Sequence, residues 1–215
     1  MADLTKSYHE SHLTPDPARP MVWNVVADYL SGFVGADAEV LEIGAGYCDW
    51  INQVRAKRRV AVDVWPELRH FSGSGVEPVV LDVATGLATF PPDSFDVVLA
   101  SNILEHFDPD VTASIASNIL TLLRRGGRLI IIQPNFAYAA RQYFDDYTHR
   151  SVFTHVSLPA LLRSRGFLID LVKPRFLPYS MQGRRLPIRP WLVRAYLQSP
   201  FKPRAGQMLV VARKP

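Results

Sequence analysis

Val40-Leu41-Glu42-Ile43-Gly44-Ala45-Gly46-Tyr47-Cys48-Asp49 runs from a mostly apolar segment into a turn built on two glycines. A second apolar segment follows and ends on Asp63, nineteen positions after the first glycine. Apolar residues leading into glycines read as a buried strand that turns sharply into the next element. The spacing to the carboxylate is that of a strand–turn–strand unit in a doubly wound α/β domain, where ligands bind at the carboxyl ends of the strands.

The rest of the chain extends this alternation. Apolar spacing predicts a helix over 21–33, strands over 39–43, 59–64, 76–81 and 95–100, and a helix over 47–56. Asp108 and Pro109 suit the N-cap and first position of another helix, whose stripe is Val111, Ile115, Ile119 and Leu122. Arg124 and Arg125 are read into its last turn, and Gly126 into its left-handed stop. A strand over 128–133, a helix from Ser157 to Arg165 and strands over 167–172 and 207–212 complete the series. Strands alternating with helices imply a parallel sheet wound on both faces. The last two strands lack a clean crossover helix, so the final one is expected to be antiparallel.

Bulk properties narrow the class. The chain has 215 residues, 48% of them hydrophobic, enough for one domain with a full core. Its single cysteine, Cys48, excludes an intramolecular disulfide and fits a reducing compartment. Neither a leader pattern at the N-terminus nor an apolar run long enough to span a bilayer is present, so a cytoplasmic protein is expected. The net charge of +4 hides an asymmetry: residues 173–215 hold ten Lys and Arg and no acid, against 14 basic and 20 acidic groups before them. Three uses fit the tail: a solvated surface, a lid over an anionic or lipid-linked small molecule, or a peripheral membrane contact. No nucleic-acid recognition motif accompanies it.

The turn itself speaks to its ligand. A dinucleotide fingerprint needs a third glycine where Asp49 stands, and a carboxylate there repels pyrophosphate. Glu42 adds negative charge, which suits a cofactor carrying a cationic centre and an ammonium group. Asp63, followed by Val64, can accept ribose hydroxyls. Asp82 can accept from an adenine amino group, with Val83 against the ring. Ser101 and Asn102 end the fourth strand, facing the reactive end. Glu42-x-Gly44-Ala45-Gly46, Asp63, Asp82 and the run from Phe95 to His106 resemble the class I S-adenosylmethionine-dependent methyltransferases. Leu123-Arg124-Arg125-Gly126-Gly127-Arg128-Leu129-Ile130 is similar to their signature before strand five. The resemblance covers about residues 38–172. It implies S-adenosylmethionine as cofactor, these ligand roles, and a Rossmann-like seven-stranded sheet with an antiparallel last strand. Residues 56–63, 175–179 and 210–215 are similar to bacterial methyltransferases associated with sugar or glycolipid biosynthesis, an analogy of context only.

One domain is expected: residues 1–37 as an N-terminal helix and lid, 38–172 as the cofactor core, 173–215 as basic tail and last strand. Residues 141–155 follow strand five and lie over the same end of the sheet. Within them Tyr143, Asp145, Asp146, Tyr147 and Arg150 are candidates for binding a hydroxylated substrate, and His149 is the first candidate base, with His106 second. The competing reading is a capped, salt-bridged loop. Asp96, at the start of its strand, and His155, before a helix, read as structural. His9, His12 and His70 belong to no constellation, and no metal-ligand spacing appears. Asn102 lacks a following Pro-Pro-aromatic, which disfavours DNA amino groups or a glutamine amide as acceptor. The reading is a small-molecule O-methyltransferase. An N-methyltransferase, a catalytically silent binding protein and a nucleotide-dependent dehydrogenase are the alternatives, the last opposed by Asp49.

Overall fold

The computed structural model describes residues 16–179 and 188–215. His9 and His12 of the N-terminal segment lie outside these, as do Arg184 and Arg185 of the tail. In chain order the elements are α1 (Arg19–Leu30), β1 (Glu39–Ile43), β2 (Arg58–Asp63), α2 (Leu68–Phe71), β3 (Val76–Val80), β4 (Phe95–Ser101), α3 (Pro109–Leu122), β5 (Leu123–Pro134), α4 (Phe136–Ala139), α5 (Ser157–Ser164), β6 (Leu168–Lys173), α6 (Pro190–Gln198) and β7 (Gln207–Arg213).

The strands form one seven-stranded sheet in the order β3-β2-β1-β4-β5-β7-β6. The first five are parallel, and β7 runs antiparallel between β5 and β6. The expected α/β class and antiparallel last strand are both present. Strand order reverses between β1 and β4, which opens a crevice at their carboxyl ends.

Both faces of the sheet are covered, which is why its strands read as continuous apolar runs rather than alternating ones. Leu41, Ile43, Val98, Ala100, Leu129 and Ile131 face α3 and α5 through Ile115, Ile119, Leu158 and Leu162. Val40, Val97, Leu99, Ile130 and Ile132 face the other way, against Val22, Val26 and Leu30 of α1 and Leu197 of α6.

Three local expectations change. No helix forms over 47–56; residues 46–53 are a series of turns. Cys48 has φ of 56°, a left-handed conformation that a right-handed helix cannot contain. Arg124 and Arg125 are not in the last turn of α3 but begin β5, where Arg124 reaches Asp96 at 2.6 Å. Asp96 also accepts from the Glu39 backbone N–H at 2.8 Å, so it ties the starts of β1, β4 and β5 together. Asp108 precedes α3 without a side-chain cap bond, pairing instead with Arg150 at 3.2 Å.

The tail is largely bound to the body. Arg194 pairs with Asp28, Arg213 with Asp170 and Lys214 with Asp93. Lys202 is buried and donates to the carbonyls of Tyr196 and Leu197 at 2.6 and 2.9 Å, capping the last turn of α6. A cation at that end satisfies orphan carbonyls and complements the helix dipole. Lys202→Ala is expected to lower stability by about 1–2 kcal/mol, the value of charge-assisted hydrogen bonds in a partly buried site. A denaturant titration checks this; an unchanged midpoint would remove Lys202 from the set of tail anchors.

Candidate active site

The crevice begins with the glycine turn after β1. Gly44 and Gly46 have φ of 66° and 49°, and with Cys48 they give three left-handed residues within five positions. Two carboxylates hold this backbone. Asp63 Oδ2 accepts from Gly46 N–H at 2.8 Å, while its Oδ1 accepts from Trp65 N–H at 2.9 Å. Glu42 Oε2 accepts from Ile51 N–H at 3.0 Å. The Ala45 N–H crosses to the Val62 carbonyl at 3.0 Å. Glu42 is buried, and burial pushes its carboxyl well above the usual range, opposed by the Ile51 N–H and reinforced by Asp49 and Asp63. Burial, followed by the same acidic neighbours, pushes the Cys48 thiol up to about 12, leaving it un-ionised at neutral pH.

Asp49 plays a different part from the one expected. Arg19 Nε sits 2.7 Å from its Oδ2, so its charge is met within the protein. The repulsion argument against pyrophosphate therefore loses most of its force at Asp49.

The other candidates line the carboxyl ends of β2, β3 and β4. Val64 is 49% exposed beside Asp63. Asp82 is exposed, with Oδ1 accepting from Ala84 N–H at 2.9 Å. Val83 is turned into the core with Leu87 rather than presented to the open edge. Asn102 has φ of 50°, is exposed, and donates to Ser101 Oγ at 3.2 Å. Trp65 and Phe71, stacked with centroids 5.4 Å apart, stand beside the turn and were not anticipated. A Cβ on Gly44 would come within 2.5 Å of Ile103 Cδ1, so the turn needs glycine for space as well as for φ. The left-handed turn, the carboxylate beneath it and the exposed Asp82 are what an adenosine-bearing ligand requires of this edge.

A second cluster lies beyond β4. Glu105 is 0% exposed, with no hydrogen-bond partner for either oxygen among the described residues. Its backbone carbonyl accepts from the N–H groups of Arg150 and Ser151, which draws the segment after β5 over it. His149 Nε2 lies 4.0 Å from Glu105 Oε1 and 3.8 Å from Asp146 Oδ2, with only 4% of the side chain exposed. The His106 and His149 rings are 5.0 Å apart. Burial raises the Glu105 carboxyl to about 8. Burial and the neighbouring His149 hold His106 down to about 4. Burial also lowers His149, against the pull of Asp146, so both rings are neutral at pH 7.

The structure brings His106, His149 and Asp146 together, as their candidacy required. It assigns other candidates elsewhere. Tyr143 is buried, with its hydroxyl donating to the Ser151 carbonyl at 2.6 Å, and serves the loop rather than a ligand. Arg150 is paired with Asp108, while Asp145 and Tyr147 are exposed. His155 meets Asn135 at 3.1 Å and stacks on Tyr138, a structural role. Glu105, which reads in sequence as a loop acid, is the cluster's deepest member. Its signal was available: like Glu42, it follows two apolar residues, and a carboxylate there must find a partner.

Gly44→Ala is expected to destabilise the protein by about 1–3 kcal/mol through φ strain and the Ile103 collision. Cofactor affinity, measured by calorimetry, should fall at least about tenfold, since 1.4 kcal/mol lost from the bound loop is a factor of ten. Wild-type affinity in this variant would detach the turn from cofactor binding.

Comparison with known proteins places this geometry. A family model described as a methyltransferase domain matches residues 23–172. Among solved structures, an S-adenosylmethionine-dependent methyltransferase of Archaeoglobus fulgidus superposes with a TM-score of 0.70 at 20% identity, covering 98% of this chain and 99% of that one. The N-methyltransferase NodS of Bradyrhizobium japonicum, solved with S-adenosyl-L-homocysteine, gives 0.64 at 17% identity, over 95% and 91%. The 1,6-didemethyltoxoflavin-N1-methyltransferase of Burkholderia thailandensis gives 0.62 at 23%, over 99% and 86%. A curated relative, the highly reducing polyketide synthase PKS6 of Gibberella zeae, is 47% identical over 45 residues, which is 21% of this chain and 2% of that protein. The chain belongs to the methyltransferase-domain family and has the fold of the class I S-adenosylmethionine-dependent methyltransferases.

Proposed function

We propose that this enzyme transfers a methyl group from S-adenosylmethionine to a hydroxyl oxygen of a small molecule. The observation that carries the choice of oxygen is the buried, neutral His149 beside Asp146, at the edge where β4 and β5 end. A hydroxyl must lose its proton as it attacks, whereas a neutral amine attacks as it stands. His149 takes that proton, and Asp146 stabilises the imidazolium that results. The donor supplies an electrophilic methyl on a cationic sulfur. The turn from Gly44 through Ala45 to Gly46 would hold it with Asp63, Val64, Asp82, Ser101 and Asn102. The remaining contribution of the protein is proximity, alignment and exclusion of water.

The acceptor's wider character is suggested by what the tail leaves unspent. Arg194, Arg213 and Lys214 pair with acids on the body. Arg175 lies over Tyr138 at 4.4 Å, in the segment that follows the acceptor edge. An anionic group on the acceptor would meet it there, without a basic face spread across the molecule.

His149→Ala is expected to lower turnover by about 10²-fold or more, the usual contribution of a positioned base. Its affinity for S-adenosyl-L-homocysteine should stay within about twofold of wild type, since the ring lies off the donor edge. Wild-type turnover would assign the proton to another group. Isotope-labelled donor incubated with cell extract, followed by mass spectrometry, reads the acceptor atom. Label in a base-stable ether supports oxygen, and label in an amine overturns it. The complete absence of labelled product would favour a binding protein without catalysis.

A further inference from the structure

We propose that Glu105, His106 and His149 bind one divalent transition-metal cation through a carboxylate oxygen and two imidazole nitrogens. The inference rests on the hydroxyl-acceptor reading for its role, but on side-chain geometry for its existence. One donor atom from each of the three lies within 4.8 Å of the other two. Ligands about 2.1 Å from a shared cation stand about 3–3.5 Å apart, so a contraction of about 1.3–1.8 Å closes the site.

One unpartnered group points to a ligand. Neither oxygen of the fully buried Glu105 has a hydrogen-bond partner among the described residues. The Glu105–His149 separation of 4.0 Å is beyond hydrogen-bond range, so the pair does not satisfy itself. A buried polar atom left without a partner is costly, and a bound ligand would relieve that cost.

The surroundings of His106 add a third observation. Thr148 Oγ1 donates to Asp146 Oδ1, spending its one proton. Its contact with His106 Nδ1 at 2.8 Å is then donated by the ring. A ring N–H held by an outer polar relay to a carboxylate is how metal-ligating histidines are oriented. Two imidazoles and one carboxylate suit Mn, Fe, Co or Zn dications better than Mg or Ca, which prefer oxygen alone.

Three protein ligands leave coordination positions open, as in catalytic rather than structural sites. A substrate hydroxyl bound there would become more acidic. A ring nitrogen bonded to a cation cannot also take a proton. Loaded, His149 would be a ligand and the cation would supply the acidification; the base role of His149 belongs to the metal-free protein.

The test uses the full chain after chelation, titrated with Co²⁺ alone and followed by calorimetry and visible absorption. The expected result is one Co²⁺ per chain with ligand-field bands. Glu105→Gln and His149→Ala should each weaken binding at least about tenfold, with S-adenosyl-L-homocysteine binding intact as the fold control. His155→Ala should leave Co²⁺ binding unchanged. Absence of saturable binding, or equal binding in Glu105→Gln and His149→Ala, overturns the site. If no Co²⁺ binds yet His149→Ala is inactive, the acceptor reading stands with His149 as base and the metal falls. If Co²⁺ binds but label appears only in an amine, the metal site stands and the hydroxyl reading falls.

Discussion

The crevice depends on a backbone that would not hold its shape alone. Gly44, Gly46 and Cys48 turn left-handed in quick succession, and such a segment leaves some of its N–H groups without a helical or sheet partner. Two carboxylates at the ends of neighbouring strands meet that need, Asp63 at Gly46 and Glu42 at Ile51. The cost of burying Glu42 is offset by a turn fixed in one conformation before any ligand arrives. Preorganisation of this kind matters most where binding must align a reacting atom.

The same turn is coupled to the acceptor edge. Ile103 fills the space above Gly44 that a side chain would otherwise take, and the next residues carry Leu104 into the core and Glu105 beneath the loop after β5. The Glu105 carbonyl then fixes Arg150 and Ser151, which sets where His149 lies. A run of hydrogen bonds and close packing thus joins the donor side to the cluster of Glu105, His106 and His149. The basic tail takes a quieter part: Lys202 closes α6, and Arg194, Arg213 and Lys214 tie the last elements to acids on the body.

Much of this was legible in the residues. Strands buried on both faces show up as apolar runs, so all seven were found. Six lie within a residue of their observed limits, while β5 starts five residues before its expected start. The broken alternation at the end foretold the antiparallel strand. Failures fell where side chains override local preference. The 47–56 segment has helical composition, but the left-handed Cys48 and the capture of the Ile51 N–H by Glu42 hold it in turns. Arg124 follows a helical stripe, but Asp96 draws it into β5. Tyr143 looked like a ligand residue because polarity alone does not say whether a hydroxyl meets solvent or a buried carbonyl.

By itself the sequence determined the layered α/β sheet, the glycine turn and the carboxylates at the ends of β2 and β3, because these follow from local period and spacing. The tertiary structure alone decided which charges remain for chemistry. Asp49 is spent on Arg19, Arg150 on Asp108, and Arg194, Arg213 and Lys214 of the tail on acids of the body. Glu105 and His149, far apart in sequence, meet in a dry cluster where both Glu105 oxygens have no hydrogen-bond partner among the described residues. Burial and pairing are properties of distance in space, and no spacing along the chain encodes them.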